Sequence, residues 1–451
     1  MMDETDMFTT QSLVTSRFDV RQTLSVAKLS PEATELIKVL KEKDAGTSQY
    51  KCIVAQTAPA VRVAFSELFG YEPGALKANV LVASLKAIGF DLVLDTNTAA
   101  DLTICEESQE LLHRVMARKE PDGSKTGMPL FSSCCPGWMK FVNKSEVEII
   151  PHLSTCKSPH MMYGAVLKRL SKELIGCEPH EIYICSVMPC VLKKTESDAP
   201  IFVNDGVRDL DNVITTKDVG VMLRIRNIDP LSLEPKQYDS PFQVEEVTGG
   251  GSGLGTGAGQ LFGSTGGVTE AVVRSIYEIV TGSKSPRLEL SDVRGLDEVR
   301  EAVVPLYSSE TGRGLDKVSL RVAVVYGLGN AKKLLERIKS ENVSYDFVEV
   351  MACPGGCISG GGQPLSKDKN TIRQRQECIY NLDKTLPIRR SHENPIIRAL
   401  YERHLGGNFG SLQAKDMLHV QQVYGGRNDP EDDTLLFGCD QEVSDLDCDD
   451  L

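Results

Sequence analysis

Short apolar runs alternate with longer amphipathic stretches along most of the chain, and this pattern predicts strands followed by helices. Residues 50–70, YKCIVAQTAPAVRVAFSELFG, begin with a β-branched run, pass a Pro turn and continue as a helix. Residues 90–117, FDLVLDTNTAADLTICEESQELLHRVMA, repeat this order, with capping residues at the head of the helix. Alternation of this kind predicts an α/β fold with mostly parallel sheets and helices on both faces.

Three further strand-like runs end at cysteines. They are MPLFSSCCPGW at 128–138, EIYICSVMPC at 181–190 and YDFVEVMACPGGC at 345–357. A fourth run, SLRVAVVYGLGNAKKLLERI at 319–338, is typical of a strand, a glycine turn and a helix. Because the chemistry of open α/β sheets lies beyond the carboxyl ends of the strands, we expect the three cysteine-bearing tips to converge on one site.

Composition and charge exclude several classes of protein. The chain has 451 residues, is 41% hydrophobic and carries a formal net charge of −13, which disfavours general binding of nucleic acid. No apolar run approaches the roughly 18 residues that a membrane helix needs. The acidic N-terminus has no apolar core of a secretory signal. We therefore expect neither a nucleic-acid partner nor a membrane partner.

The cysteines carry the candidate chemistry. Thirteen is an odd number, and without a secretory signal disulfides are not expected, so clustered cysteines indicate metal ligation or redox chemistry. Adjacent cysteines also have poor geometry for a mutual disulfide. An iron–sulfur cluster takes four thiolates; zinc accepts four as well, but its usual C-x2-C spacing is absent here. One member of the pair Cys134–Cys135, taken with Cys190, Cys353 and Cys357, supplies four ligands and leaves one thiol over.

A set of inert buried thiols is the alternative interpretation, since free cysteine is often buried. The prolines and glycines around these cysteines argue against it, because they are costly unless the backbone must approach something closely. The remaining cysteines lie in ordinary helix, strand or tail contexts. Among them we single out Cys156, in LSTCKSP.

The motifs SSCCPGW, SVMPCVLKKTESD and VEVMACPGGCISGGGQP resemble the three signatures of the H-cluster domain of iron-iron hydrogenases. The resemblance extends from about residue 57 to 405 and is to the small algal-type form, which lacks accessory ferredoxin-like domains. It implies two lobes of mostly parallel twisted β-sheet flanked by helices, with a metal cluster held between the lobes. It also implies an N-terminal extension at 1–48, a catalytic domain at 49–425 and an acidic, disordered tail at 426–451.

The resemblance assigns a role to each clustered cysteine. Cys135, Cys190, Cys353 and Cys357 would hold a 4Fe–4S cubane, and Cys357 would also bridge to a 2Fe subcluster with CO, CN and azadithiolate ligands. Cys134 would stay free and relay protons. The implied activity is that of a ferredoxin hydrogenase, 2H⁺ + 2e⁻ ⇌ H₂.

A proton relay needs a route to water. The helix sequence CEESQELLHR places Glu107, Glu110 and Arg114 at i, i+3 and i+7, on one face. By itself such a run is typical of a solvated charged face. With the resemblance, Glu107, Ser154, Glu110 and Arg114 match the family's proton path from Cys134 outward.

Further residues match positions that surround the diiron site in the family. The two methionines of this set would be ordinary core residues by spacing alone. The set is Ala58, Pro59, His160, Met188, Lys193, Phe262 and Met351.

The chain departs from the family pattern at three places. Ala60 stands where some members have serine. His160 replaces a glutamine, and it would donate a hydrogen bond to a carbonyl ligand in the same way or add a titration step at about pKa 6 to 7. The glycine-rich run 248–260 is longer than expected, and we predict a loop there, followed by a helix from about Val268.

The resemblance also implies partners and a location. A soluble ferredoxin would exchange electrons with a monomer, and separate maturation proteins would insert the diiron subcluster. A docking patch would use the lysines near the cysteine motifs, Lys140, Lys144, Lys193 and Lys194. We expect a cytoplasmic protein, with the plastid stroma or the hydrogenosome as the alternative.

Two other functions compete. Gly327-x-Gly329 after a strand is a Rossmann-like start with Asp346 and Glu349 further on, but Lys332 at the third glycine position fits a dinucleotide poorly. The second alternative is a non-catalytic or sensory hydrogenase-like protein, or an iron–sulfur assembly factor. The free Cys134 together with Lys193 favours catalysis.

Overall fold

A computed structural model describes residues 29–117, 129–242, 255–340, 343–366 and 368–420. The acidic tail predicted at 426–451 lies outside the described residues. So do residues 1–28 of the predicted extension and residues 243–254, which include the start of the glycine-rich run. Within the described ranges, no helix combines the length and the apolar character that crossing a lipid bilayer requires.

The strands are β1 (Cys52–Thr57), β2 (Leu92–Asp95), β3 (Leu130–Phe131), β4 (Ile182–Met188), β5 (Val203–Asn204), β6 (Val207–Arg208), β7 (Asn212–Thr215), β8 (Val299–Ser308), β9 (Arg313–Tyr326) and β10 (Phe347–Met351). The α-helices are α1 (Pro31–Asp44), α2 (Pro59–Ala64), α3 (Ala78–Ile88), α4 (Asn97–Ala117), α5 (Pro136–Ser145), α6 (Pro159–Arg169), α7 (Ser171–Leu174), α8 (Leu192–Asp198), α9 (Thr216–Ile225), α10 (Gly257–Gln260), α11 (Gly267–Thr281), α12 (Leu328–Ser340), α13 (Lys369–Thr385), α14 (Pro395–Arg403) and α15 (Leu412–Leu418).

The first sheet is parallel throughout, in the order β2-β1-β4-β7. Every residue of β1 and of β4 is buried, as expected for parallel strands that helices cover on both faces. Thr57 pairs with Asp95 on one side and with Val187 on the other. The carboxyl ends of β1, β2 and β4 therefore meet at one edge of this sheet.

The second sheet has the order β3-β10-β9-β8. Strands β3, β10 and β9 are parallel, whereas β8 pairs antiparallel with β9. Strand β10 is buried along its length, and β8 mostly alternates buried and exposed positions. The edge strand β8 thus presents one face to solvent, which antiparallel edges tolerate.

Helix α4 packs against both halves of the molecule. Its Leu102 and Cys105 lie in the hydrophobic core of the first sheet, whereas Ile104 and Leu111 lie in a core of the second sheet. This two-sided burial explains why apolar residues occur on more than one face of the helix. Helix α4 therefore joins the two lobes, and its polar residues lie near the boundary between them.

The fold predicted from the pattern is confirmed: two lobes of mostly parallel sheet flanked by helices. Two details differ from the sequence analysis. The antiparallel strand β8 was not predicted. The glycine-rich run is not a loop up to Val268, because α10 and a 3₁₀ turn at Leu261–Gly263 form within it before α11 begins at Gly267. Burial drives this order, since Ala258 and Leu261 are completely inaccessible to solvent.

Candidate functional site

A cavity lies where the strand tips of the two sheets meet. Strand β3 leads to Cys134 and Cys135, β4 leads to Cys190, and β10 leads to Cys353, followed by Cys357 in a 3₁₀ turn. All five cysteines line the cavity, as expected from the strand tips. The other predicted lining residues do so too: Ala58, Pro59, His160, Met188, Lys193, Phe262 and Met351.

Four of the thiols influence one another electrostatically. Burial, followed by the charge of Cys135, raises the pKa of Cys190 to about 11. Burial likewise raises the pKa of Cys357 to about 12, with contributions from Cys135 and Cys190. The pKa of Cys353 is raised by burial and then by Cys190, Cys135 and Cys357. Four thiolates in so small a space would repel one another, and a cationic metal cluster is the group that would offset this repulsion.

Two glycines near the thiols allow neighbouring loops to approach closely. Gly356 has a φ of +90°, and a Cβ there would lie 2.5 Å from the backbone nitrogen of Thr265. At Gly360, a Cβ would lie 2.3 Å from the carbonyl oxygen of Pro189. These close approaches bring the loop of Cys353 and Cys357 against the loop of Cys190. The donor set and its cradle fit an iron–sulfur cluster with four cysteine ligands.

Cys134 differs from the other four in its surroundings. Burial raises the pKa of its thiol well above the usual value, Glu107 adds to the rise, and Lys193 opposes it. The thiol is therefore neutral at neutral pH and carries a proton that it can pass on. Its neighbour Cys135 instead accepts a hydrogen bond from the backbone of Ala352, at 3.4 Å from nitrogen to sulfur. The two adjacent cysteines thus have separate partners.

The predicted proton path forms a graded line from the cavity towards solvent. Glu107 is 2% exposed, and burial, Glu110 and Glu349 raise its pKa well above the usual value, while Ser154 acts in the opposite direction. Ser154 Oγ donates to Glu110 Oε2 at 2.8 Å. The side chain of Glu110 is 16% exposed and that of Arg114 26% exposed, with 3.8 Å between them. Along the predicted path, Glu107 and Ser154 are thus buried, whereas Glu110 and Arg114 are partly exposed to water.

Lys193 belongs to a buried charged triad that sequence reasoning missed in part. Its ammonium donates to Glu196 Oε2 at 2.7 Å and to the carbonyl oxygen of Cys134 at 2.9 Å. His160 Nε2 lies 2.9 Å from the same carboxylate oxygen, and Nδ1 lies 3.3 Å from Ser186 Oγ. The i, i+3 spacing of Lys193 and Glu196 on α8 was the only signal for this pairing in the sequence.

The triad determines the charge state of His160. Burial and Lys193 lower the pKa of His160 below its ordinary value, although Glu196 acts in the opposite direction. The ring is therefore neutral at pH 7. Because both ring nitrogens have partners on the protein, the ring holds Glu196 in place. This geometry does not favour the expected hydrogen bond from His160 into the cavity.

We expect Glu196→Gln to destabilise the fold at neutral pH. Burial alone would raise the pKa of Glu196, but Lys193 and His160 hold it at about 2. A carboxyl group with a depressed pKa stabilises the fold above its unfolded pKa, here 4.5, and this contribution is lost as the pH falls towards 2. The shift corresponds to roughly 3 kcal/mol at pH 7.

Urea denaturation of the unmodified protein and of Glu196→Gln between pH 7 and pH 3 tests this expectation. The difference in the free energy of unfolding should narrow steadily below about pH 4.5. Glu173→Gln is the matched control, since Glu173 pairs with His404 but is 58% exposed, and its loss should change the free energy by less than about 0.5 kcal/mol. A pH-independent difference would contradict an ionised Glu196.

The geometry disfavours a dinucleotide site after β9. Glu349, a candidate for binding a ribose hydroxyl, is fully buried, and its carboxylate accepts hydrogen bonds from the backbone of Gly266 and Thr269 at 2.6 and 2.8 Å. It therefore caps the start of α11. The candidate docking lysines are also not equivalent: Lys140 and Lys144 are exposed, whereas Lys193 is buried in the cavity wall and cannot contact a partner.

A cavity between two α/β lobes that is lined by five cysteines is typical of a protein that binds a metal–thiolate group. The family described as "Iron only hydrogenase large subunit, C-terminal domain" matches residues 51–361, and "Iron hydrogenase small subunit" matches residues 369–422. The chain therefore belongs to the iron-only (iron-iron) hydrogenase family.

Individual relatives include both hydrogenases and assembly components. The chain is 39% identical over 387 residues to the NADP-reducing hydrogenase subunit HndD of Solidesulfovibrio fructosivorans. The aligned region covers 86% of this chain but 61% of that protein. The chain thus spans less than two thirds of that relative. This chain is also 30% identical over 412 residues to cytosolic iron-sulfur assembly component 3 of Mus musculus. That aligned region covers 89% of this chain and 80% of the assembly component.

A solved structure agrees in fold along nearly its whole length. A variant of the apo [FeFe]-hydrogenase HydA1 from Chlamydomonas reinhardtii superposes with a TM-score of 0.73 at 41% identity. The superposition covers 86% of this chain and 98% of the other. The two-lobed arrangement is therefore that of a single-unit [FeFe]-hydrogenase.

Proposed function

We propose that this protein is an iron-iron hydrogenase that catalyses 2H⁺ + 2e⁻ ⇌ H₂. One observation carries the proposal: the free thiol of Cys134 stands beside a set of four grouped thiols and at the inner end of a line of proton-carrying side chains. A structural iron–sulfur site has no need of such a line. Residues 49–425 would form the catalytic unit, preceded by an extension whose helix α1 packs against the first sheet through Leu36 and Leu40.

Four cysteines would hold the metal group. Cys135, Cys190, Cys353 and Cys357 would ligate a 4Fe–4S cluster, with Cys357 shared with a 2Fe subcluster that carries CO, CN and azadithiolate ligands. When bound, this H-cluster would supply the redox and metal chemistry, with the electrons coming from an external donor. The chain supplies an apolar wall that excludes water, formed by Ala58, Pro59, Met188, Phe262 and Met351.

The side chains of the proposed path move the protons. Burial raises the pKa of Glu107, which favours its protonated form, and this carboxyl group would deliver a proton to Cys134. A neutral thiol carries a proton into an apolar cavity without a permanent charge, which would be costly there. Ser154 connects Glu107 to Glu110, and Arg114 lies beside Glu110 at the outer end. Protons would thus enter from water at Glu110.

Lys193 would contribute a fixed positive charge to the cavity wall. Glu196 and the carbonyl oxygen of Cys134 fix the position of its ammonium. An ammonium held in this way favours an anionic ligand in the cavity over a neutral one. His160 would act through Glu196 and is a positioning residue.

The proposed partners follow from the proposed reaction. A soluble ferredoxin would supply or accept electrons at the face of the exposed Lys140 and Lys144, and maturation proteins would insert the diiron subcluster. We further propose a monomer in the cytoplasm, with the plastid stroma or the hydrogenosome as the alternative location.

Hydrogen evolution from reduced methyl viologen tests the proposal. Protein produced together with the maturation proteins should evolve hydrogen and should show infrared bands of metal-bound CO and CN. The second candidate function is that of an iron–sulfur assembly factor or a sensory relative, because the chain is also similar to assembly components. Such a protein would show the iron–sulfur absorption but evolve little or no hydrogen. Infrared bands without turnover would favour a sensory protein, and the absence of both would favour an assembly role.

For His160→Gln we expect hydrogen evolution to persist with an almost unchanged pH profile above pH 6.5. The reason is that the pKa of His160 is lowered, so the ring is already neutral in this range, as glutamine is. The ratio of the two rates should be constant from pH 6.5 to 9 and should change only at more acidic pH. A step near pH 7 that disappears in the variant would mean that the ring titrates close to its ordinary pKa.

A further inference from the structure

Three potential metal ligands outside the cysteine cavity meet beside the outer part of the proton path. They are Glu110, Cys156 and His419, and one donor atom of each lies within 4.8 Å of the others. Cys156 Sγ lies 3.9 Å from Glu110 Oε2 and 4.0 Å from His419 Nδ1. The histidine is distant in sequence, because it follows α15 near the end of the described chain. None of the three ligates the proposed H-cluster.

The imidazole of His419 is held as a metal-binding histidine typically is. Its Nε2 lies 2.8 Å from Glu106 Oε2, and its Nδ1 lies 2.7 Å from Thr155 Oγ1. Glu106 is fully buried and also accepts a hydrogen bond from the backbone of Gly410 at 2.9 Å. A proton on Nε2 donates a hydrogen bond to the Glu106 carboxylate. The lone pair of Nδ1 can then accept a hydrogen bond from Thr155 Oγ1 or bind a metal. A carboxylate behind the histidine is the usual outer partner of a metal-ligating imidazole.

The local charge favours a divalent cation. Burial raises the pKa of the Cys156 thiol well above its usual value, and Glu110, Glu107 and Glu106 add to the rise. The negative field that opposes a thiolate attracts a metal ion, which would displace the thiol proton. Arg114 is the opposing charge, and it lies near the other carboxylate oxygen of Glu110, Oε1.

We propose that Glu110, Cys156 and His419 bind Zn²⁺, or a transition-metal ion of similar softness, and that the bound ion blocks the proton path. Sulfur, nitrogen and carboxylate donors suit zinc rather than magnesium or calcium. Donors around tetrahedral zinc are about 3.5 Å apart. The separations from Cys156 Sγ to Glu110 Oε2 and to His419 Nδ1, 3.9 and 4.0 Å, would close by about half an ångström. The carboxylate and imidazole donors lie within 4.8 Å of each other and would also approach more closely. The ion would coordinate Glu110 Oε2, the oxygen that accepts a hydrogen bond from Ser154 Oγ. The blocking part of this proposal rests on the proposed function.

A second cluster of potential ligands does not carry the same inference. Glu278, His392 and Glu393 also lie together. However, Arg390 pairs with both carboxylates, at 2.5 Å from Glu278 and 3.6 Å from Glu393. This cluster has no thiol, so its zinc environment would differ from that of the proposed site.

Zinc-edge X-ray absorption tests the site directly, and the iron of a loaded protein does not interfere. The iron–sulfur-loaded protein with one equivalent of Zn²⁺ should show one sulfur neighbour together with nitrogen or oxygen neighbours. Cys156→Ser should lose the sulfur neighbour. Cys378→Ser is the matched control, because Cys378 is a half-buried thiol that contacts the carbonyl of Pro73 far from the cluster, and it should keep the sulfur signal. A spectrum without sulfur, or sulfur that persists in Cys156→Ser, would overturn the site.

Hydrogen evolution during a zinc titration tests the block. The unmodified protein should be inhibited, and Cys156→Ser and His419→Gln should each need at least tenfold more zinc for half-inhibition, relative to their own zinc-free rates. His404→Gln, which pairs with Glu173 elsewhere, should match the unmodified protein. Zinc seen at the site without inhibition would overturn the block. A matured protein without any zinc-free turnover would count against the proposed function, and X-ray absorption would still decide the site.

Discussion

Cys134→Ala should retain the iron–sulfur cluster and lose almost all hydrogen turnover. The cluster should persist because Cys135, not Cys134, is one of the four proposed ligands. Turnover falls because alanine cannot carry a proton from Glu107 into the cavity. A single general acid contributes about 10²–10⁴-fold, and we expect a loss beyond this range because the described side chains offer no parallel route at this position.

The measurement is hydrogen evolution per intact cofactor, with infrared bands of CO and CN giving the occupancy. Cys105→Ala is the matched control: Cys105 is a fully buried thiol on α4 that does not line the cavity, and its loss should leave the rate per cofactor unchanged. Glu110→Gln should cost less than Cys134→Ala, because Glu110 is partly exposed and water can substitute for it. Near-normal turnover in Cys134→Ala would remove Cys134 from the proton path.

Cys190→Ala should abolish the iron–sulfur chromophore and, with it, all activity. Protein made without maturation proteins should bind about four irons and four sulfides if four thiolates hold one cubane. Removing Cys190 leaves three thiolates on the second lobe and none on the first. The cluster would then no longer join the two sheets, since Cys190 is the only ligand of the four that follows a strand of the first sheet.

Iron and sulfide analysis and the visible absorption of the reconstituted protein provide the test. Cys185→Ala is a close control, because Cys185 is fully buried on the same strand β4 but does not line the cavity. It should keep the full iron content even if core packing is weakened. A fully loaded cluster in Cys190→Ala would show that another residue is the fourth ligand.

Most elements of the fold were predictable because their apolar pattern is local. Strands β1, β4 and β10 are continuous buried runs, and such runs can only be covered on both faces. Strand β8 was not predicted because its charged residues obscure the alternation of buried and exposed positions. Arg300 of β8 is buried, and its guanidinium donates to the carbonyl oxygens of Val293 and Gly295, which precede the strand, and to Thr265 Oγ1, 35 positions away. No local pattern reveals that compensation.

The loop prediction for the glycine-rich run was wrong at α10, Gly257–Gln260, for a related reason. Glycine has a low intrinsic helix propensity, so a loop was the natural expectation. Tertiary packing overrides the propensity at α10, where a Cβ on Gly257 would lie 2.4 Å from Asp383 and one on Gly259 would lie 2.7 Å from the carbonyl of Asn97. These glycines are present because neighbouring chain segments approach closely.

The amino-acid sequence by itself determined the family, the grouping of the cysteines and the candidate proton carriers, because motifs and strand ends are properties of contiguous residues. The tertiary structure alone decided which charges are paired. Glu196 joins Lys193 to His160 across two helices, and Cys156 meets His419 from 263 positions away. Such pairings depend on how helices and loops pack, and burial then shifts each pKa, so neither could be inferred from spacing along the chain.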